Sequence, residues 1–164
     1  MPVDPADFRR ALGQFAAGVT VVTTRDGLGR SLGLTVTAFA AVSLEPPLVL
    51  VCVDHRSETH VGFRHAGLFG VSILAEGQAE VSRRFAGGGA GKFQGVDLDK
   101  GETGVPLIPG ALAHLECRVS ATHVAGDHTI YVGEVLSVRV RPGPPLLYHD
   151  RDYRRLAPGG EPER

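Results

Sequence analysis

Seven polar residues, Thr35, Thr37, Ser43, Arg56, Ser57, Thr59 and Arg84, fall beside apolar stretches in a spaced set. None has metal-ligand spacing, and none stands next to a base that would make it a nucleophile. What they offer is hydrogen bonding and charge. A few polar groups on an apolar scaffold are what a small-molecule pocket needs. Each residue alone has a plainer reading. Thr is a common strand former, and Ser57 is placed to cap a helix.

Other candidate chemistries fail on context. Gly27-Leu28-Gly29 with Gly33 carries part of a dinucleotide-binding fingerprint. That fingerprint opens a helix whose N-terminus faces the pyrophosphate. Here a β-branched stretch follows, so a hairpin is expected. Ala86 to Phe93 (AGGGAGKF) has the composition of a phosphate loop. It lacks the first glycine and has Phe93 where Ser or Thr would bind magnesium. His55, His60 and His65 are five residues apart, which does not put them on one helical face, so no metal site is expected. Cys52 and Cys117 lack C-x-x-C spacing and lie in the apolar runs LVLVCVD and LECRV. They read as buried thiols.

The bulk properties narrow the class. A chain of 164 residues fits one domain able to bury about 70% of its unfolded surface. A net charge of −1 argues against nucleic acid or an anionic membrane as partner. No apolar run approaches the ~20 residues of a membrane helix. The N-terminus, MPVDPADFRR, lacks the basic and apolar regions of a secretion signal. A cytoplasmic location is expected.

The elements that must position the polar set follow from periodicity and punctuation. Asp4-Pro5 opens a helix as N-cap and N1. Phe8, Leu12 and Phe15 recur at helical spacing, with Gly18 placed to end it. Val19 to Thr24 reads as a strand, Asp26-Gly27 as a hairpin turn, and Leu34 to Val42 and Leu48 to Val53 as further strands. A helix is expected from Ser57 to about His65, a strand over Phe69 to Leu74, and a helix over Glu76 to Phe85. Gly87 to Gly91 is expected to be a loop. Ala111 to Thr122 and Thr129 to Val140 read as the longest strand pair, joined around Gly126-Asp127. Many strands and few helices without regular alternation imply a mainly β antiparallel barrel. One domain is expected over residues 1–157, with a disordered tail over 158–164.

From Phe8 to about Leu156 the chain resembles the flavin reductase-like domain family, the reductase component of two-component flavin monooxygenases. The resemblance is carried by FRRALGQFAAGVTVVTT (Phe8 to Thr24), GLTVTAFAAVSLEPPLVLVCVD (Gly33 to Asp54), RSETH (Arg56 to His60) and SRRFAG (Ser82 to Gly87). It continues through KF (Lys92-Phe93), GALAHLEC (Gly110 to Cys117), GDHTIYVGEV (Gly126 to Val135) and PLLYHDRDYRRL (Pro145 to Leu156).

The resemblance implies a split β-barrel that binds FMN or FAD and forms a homodimer. It implies reduction of that flavin by NADH or NADPH and transfer of the reduced flavin to a partner monooxygenase. It places Thr35, Val36, Thr37 and Ala38 along the flavin ring, with Ser43 and Cys52 close by. It places Arg56, Ser57 and Thr59 on the flavin phosphate. Arg84, Phe85, Lys92 and Phe93 would add phosphate and ring contacts. His128, in Gly126-Asp127-His128, would serve the nicotinamide and is the catalytic candidate. A helix start with a guanidinium suits a phosphate, and Ser43 or backbone amides could stabilise the reduced ring. Ala17 stands where many relatives have Thr, and Thr37-Ala38 where many have Asn-Ser. Both replacements remove a polar group near the expected ring. Two other readings fit some of the same residues. One is an electron carrier or pyridoxamine phosphate oxidase-like protein with tightly bound FMN. The other is an oligonucleotide-binding barrel, which would want more than 6% aromatic residues and a basic groove.

Overall fold

The computed structural model describes residues 3–157. The tail expected over 158–164 lies outside the described residues. The chain opens with helix α1 (Pro5–Gly13), capped by the Asp4 carboxylate, which accepts from the Ala6 and Asp7 amides. Strands β1 (Ala17–Gly18), β2 (Thr20–Arg25), β3 (Ser31–Val36), β4 (Phe39–Ser43) and β5 (Leu48–Asp54) follow. Helix α2 (Glu58–Ala66) begins on Ser57 and stops at Gly67, whose left-handed conformation ends it. Then come β6 (Leu68–Ile73), a 3-10 turn (Glu76–Gln78), α3 (Ala79–Ala86) and a second 3-10 turn (Ala90–Phe93). The short pair β7 (Asp99–Lys100) and β8 (Pro106–Leu107) precedes the long hairpin of β9 (Ala113–Ala125) and β10 (His128–Val140). Strands β11 (Leu147–His149) and β12 (Asp152–Arg154) finish the described chain.

Seven strands form one antiparallel sheet in the order β3-β2-β6-β9-β10-β5-β4. Its two edges, β3 and β4, are consecutive in the chain and joined only by Thr37 and Ala38. Three Cα steps reach roughly 11 Å at full extension. A flat seven-stranded sheet would hold its edges about 29 Å apart. The sheet must therefore curl until its edges meet at this corner. Bulges in the β9–β10 pair, between Val132 and Gly133 and between Val135 and Ser137, help it bend. This is the mainly β split-barrel architecture that the resemblance implies.

Residues of the curled sheet fill its interior. Val22, Val49, Val51, Val53, Phe69, Val71 and Tyr131 pack there with Phe63 of α2. A second cluster, with Val19, Val21, Leu74, Phe85, Ile108 and Leu146, lies on the other face. Strand β2 feeds both clusters and is buried from Thr20 to Thr24, which explains its unbroken β-branched sequence.

Several expected boundaries shift. The Leu34 to Val42 strand is two strands, because the chain turns at Thr37-Ala38. Gly18 does not end α1; Gln14 does, and Gly18 pairs with Leu147. The Glu76 to Phe85 helix begins as a 3-10 turn, and part of the Gly87 to Gly91 loop is drawn into another. Strand β5 alternates between buried and half-buried residues and is not covered on both faces within one chain.

Glu116 is a carboxylate on β9 that is only 1% exposed. It accepts from the Glu102 and Thr103 amides at 2.9 and 2.7 Å and from the Thr103 hydroxyl at 2.6 Å. Burial alone would raise its pKa, but these hydrogen bonds outweigh burial and hold the carboxyl below its ordinary value. A depressed pKa stabilises the fold above the unfolded value and loses that contribution as pH falls through the folded one. Glu116→Gln should destabilise the protein by about 1–3 kcal/mol at neutral pH. In thermal melts the gap between variant and parent should close as pH falls into the carboxylate range. A gap independent of pH would contradict this.

Candidate functional site

A groove of about 490 Å³ opens between β3, the β5–α2 turn and the end of α3. Its lining includes Leu34 and Phe85, the polar groups of Thr35, Asp54, Arg56, Ser57, Glu58 and Lys92, and the glycines Gly87 to Gly89. Its volume lies in the range of small-molecule sites. The fold thus brings five of the expected residues, Thr35, Arg56, Ser57, Phe85 and Lys92, to one surface.

Each is positioned by an identifiable cause. The Arg56 guanidinium donates to Asp54, with Nη2 2.7 Å from Oδ2 and Nε 3.2 Å from both oxygens. Asp54 also accepts the Arg56 amide at 2.8 Å, which closes the turn. These hydrogen bonds hold the Asp54 carboxyl far below the usual carboxylate range. The Arg56 side chain stays 86% exposed, so its remaining donors face solvent. Ser57 accepts the Thr59 amide at 3.2 Å and starts α2. Thr59 is buried behind it.

Across the groove, the Thr35 hydroxyl donates to the Ser82 carbonyl at 2.6 Å and ties β3 to α3. Its lone pairs stay free to accept. Phe85 and Phe93 meet edge to face with centroids 5.0 Å apart. Gly33 lies against this pair; a Cβ there would stand 3.1 Å from each ring. Lys92 reaches the Gly33 and Phe85 carbonyls at 3.2 and 3.3 Å. Burial lowers its pKa, against the pull of Glu58. Its ammonium thus fastens the second 3-10 turn to β3 and α3 as well as edging the groove.

The remaining expected residues divide. Val36, Thr37 and Ala38 form the corner where the sheet edges meet. The Val36 carbonyl accepts the Thr20 hydroxyl at 2.7 Å, and the Ala38 carbonyl accepts the Cys52 amide at 3.2 Å. Cys52 is thereby brought beside the corner. Val36 itself is buried, while Thr37 and Ala38 are exposed. Cys117 is a fully buried thiol whose pKa burial pushes up to about 12; Cys52 is half-buried. Ser43 ends β4 and does not line the groove, and neither does Arg84, which is exposed on α3. His128 pairs with Asp54 across β10 and β5, and its Nδ1 lies 2.7 Å from Asp127. That bond leaves Nε2 for another partner.

Sequence reading missed the Asp54–Arg56 pair and the bare glycine edge. The first had a signal, since opposite charges two apart in a turn can pair. It also missed what happens to the histidines. His55 precedes α2, so the turn folds it back onto His60, with ring centroids 4.8 Å apart. Helical spacing does not govern that pair. Two larger grooves exist besides the one described. One of about 740 Å³ includes Leu28, Val61 and His65, and one of about 640 Å³ includes His55 and His60.

Comparison with known proteins identifies the family. The family model described as "Flavin reductase like domain" matches residues 12–157. The reductase subunit of a flavin-dependent monooxygenase from Rhodococcus jostii is 40% identical over 157 residues, 95% of this chain and 80% of that protein. An FMN reductase (NADH) from Agrobacterium fabrum is 45% identical over 150 residues, 92% of this chain and 85% of that protein. The structure of the NADH:FAD oxidoreductase of Streptomyces globisporus, in complex with NAD and FAD fragments, superposes with a TM-score of 0.90. It is 40% identical, covering 98% of this chain and 99% of that one.

Proposed function

The chain belongs to the flavin reductase-like domain family, and from that premise we infer that it oxidises NADH or NADPH and reduces FMN or FAD. The relatives' dependence on NADH favours a nicotinamide donor over the electron-carrier reading. The observation that carries the assignment to a place is the Arg56 guanidinium and the start of α2 beside the apolar wall of Leu34 and Phe85. The groove fits a flavin phosphate. Arg56 offers a charged fork, the α2 amides add partial positive charge, and Gly87 to Gly89 leave the edge free of side chains.

The two cofactors, when bound, supply the hydride transfer themselves. The protein's part is to hold and orient them. Asp54 aims Arg56, which binds the phosphate with Ser57 and the buried Thr59 behind it. Thr35, Val36, Thr37 and Ala38 run from the groove to the open corner and line the ring, with Ser43 and Cys52 on the neighbouring strands. Phe85 and Phe93 set the apolar wall, Lys92 fixes the turn beside it, and Arg84 adds charge at the rim. Asp127 orients His128 so that Nε2 can meet the nicotinamide. A monooxygenase reductase subunit among the relatives supports delivery of reduced flavin to a separate monooxygenase. No helix among the described residues is long and apolar enough to cross a membrane. The two unpaired cysteines suit the reducing cytoplasm.

We also infer a homodimer. Phe8 and Leu12 on α1 and Phe15 after it are 56, 58 and 77% exposed, and α1 buries none of its residues. Val42, Leu44, Val138 and Val140 are exposed as well. An amphipathic helix with an uncovered apolar stripe marks an interface, and two-fold pairing is its commonest form. Light scattering at micromolar protein should give twice the chain mass. A mass equal to one chain would contradict the dimer.

Arg56→Ala should weaken FMN binding roughly ten- to a hundredfold, the scale of losing a charged hydrogen bond. Riboflavin, which has no phosphate, should bind within about twofold of the parent, well under a tenfold change of 1.4 kcal/mol. The same difference in an Asp54→Asn background would show that a stranded carboxylate is not its cause. Equal losses for FMN and riboflavin would remove Arg56 from the phosphate.

A further inference from the structure

We propose that the 640 Å³ groove between α2 and the β9–β10 hairpin is a second anion site, separate from the flavin groove, that takes a phosphate group. The two grooves lie on opposite sides of the same turn. Asp54, Arg56 and Ser57 line one, while His55, between them, lines the other. Thr129, the residue after His128, also lines this second groove and is buried.

Donors converge here. His55 Nε2 and His60 Nε2 stand 2.9 and 3.1 Å from the Thr129 hydroxyl. A hydroxyl has one proton to give, so at least one of the two imidazoles donates to it and carries its proton on Nε2. Arg64, one turn along α2 from His60, brings a guanidinium with no salt bridge among the described residues. Among the residues lining the groove there is no Asp or Glu. Burial, His55 and Arg64 lower the His60 pKa, against the pull of Asp54, which is committed to Arg56.

The independent observation is Tyr131. It is 1% exposed, lines this groove, and its hydroxyl is buried without a hydrogen-bond partner. Buried hydroxyls are ordinarily paired. Burial raises the phenol's pKa, so it stays protonated and able to donate. Arg64 influences both Tyr131 and His60 electrostatically, which places its charge near both. The unpaired buried Tyr131 hydroxyl and the Arg64 guanidinium, beside imidazoles already held by Thr129 and with no Asp or Glu in the lining, match an oxyanion with several acceptor oxygens. The groove has room for a phosphate with an organic substituent, so the source is either free phosphate or the phosphates of a dinucleotide.

The test uses FMN-saturated protein, so that the flavin groove is filled. Inorganic phosphate is titrated while the imidazole Cε1–H resonances of His55 and His60 are followed by NMR. Both should shift along one saturating curve. Arg64→Met should raise the dissociation constant about tenfold and Tyr131→Phe about threefold, with the FMN constant unchanged. ADP-ribose is then titrated the same way. Binding at least tenfold tighter than phosphate, in competition with it, would identify the dinucleotide as the source; equal or weaker binding would identify free phosphate. Shifts that grow linearly without saturating, or curves identical in parent and Arg64→Met, would overturn the site.

Discussion

The two-residue link at Thr37-Ala38 is the constraint on which the rest of the structure depends. It joins the two edges of a seven-stranded sheet, so the sheet can exist only if it curls. Curling encloses the Val, Phe and Tyr side chains that form the interior core. It also leaves a corner where backbone and small side chains, not bulky ones, face outward. Hydrogen bonds from Thr20 to Val36 and from Cys52 to Ala38 pin the corner from both edges. Strand β3 then runs directly from this corner to the groove at Thr35, which gives a flat ligand a continuous wall.

The turn from Asp54 to Ser57 organises charge against that wall. The turn sends Asp54, Arg56 and Ser57 to the 490 Å³ groove, while His55 faces the groove of His60, Thr129 and Tyr131. On β10, Thr129 lines the second groove, while His128 beside it lines neither. An exposed ion pair such as Asp54–Arg56 adds little to stability. Its value lies in direction: a guanidinium already aimed loses less freedom on meeting a phosphate.

Much of this is legible in the sequence where local signals agree. The Asp4-Pro5 and Ser57 caps, the Gly126-Asp127 hairpin and strand β5 follow from residue type alone. The break at Thr37-Ala38 does not. Thr37, Ala38 and Phe39 suit a continuous strand, and only the pairing of β4 with β5 makes them a corner. The groove required Phe85, Lys92 and Thr35 to meet across 57 positions of chain, which no local periodicity encodes; the family resemblance supplied that grouping. The resemblance also gathered Ser43 and Arg84, which lie outside the groove in the single chain. The His55–His60 pair was hidden because helical spacing was applied to a residue that precedes the helix.

The central claim is that flavin bound in this groove is reduced there by a nicotinamide. Anaerobic mixing of FMN-loaded protein with NADH or NADPH in a stopped-flow instrument tests it most directly. The visible absorbance of the bound flavin should bleach completely, at a rate that saturates with nucleotide concentration. Flavin that remains bound and keeps its colour with both nucleotides would contradict the account.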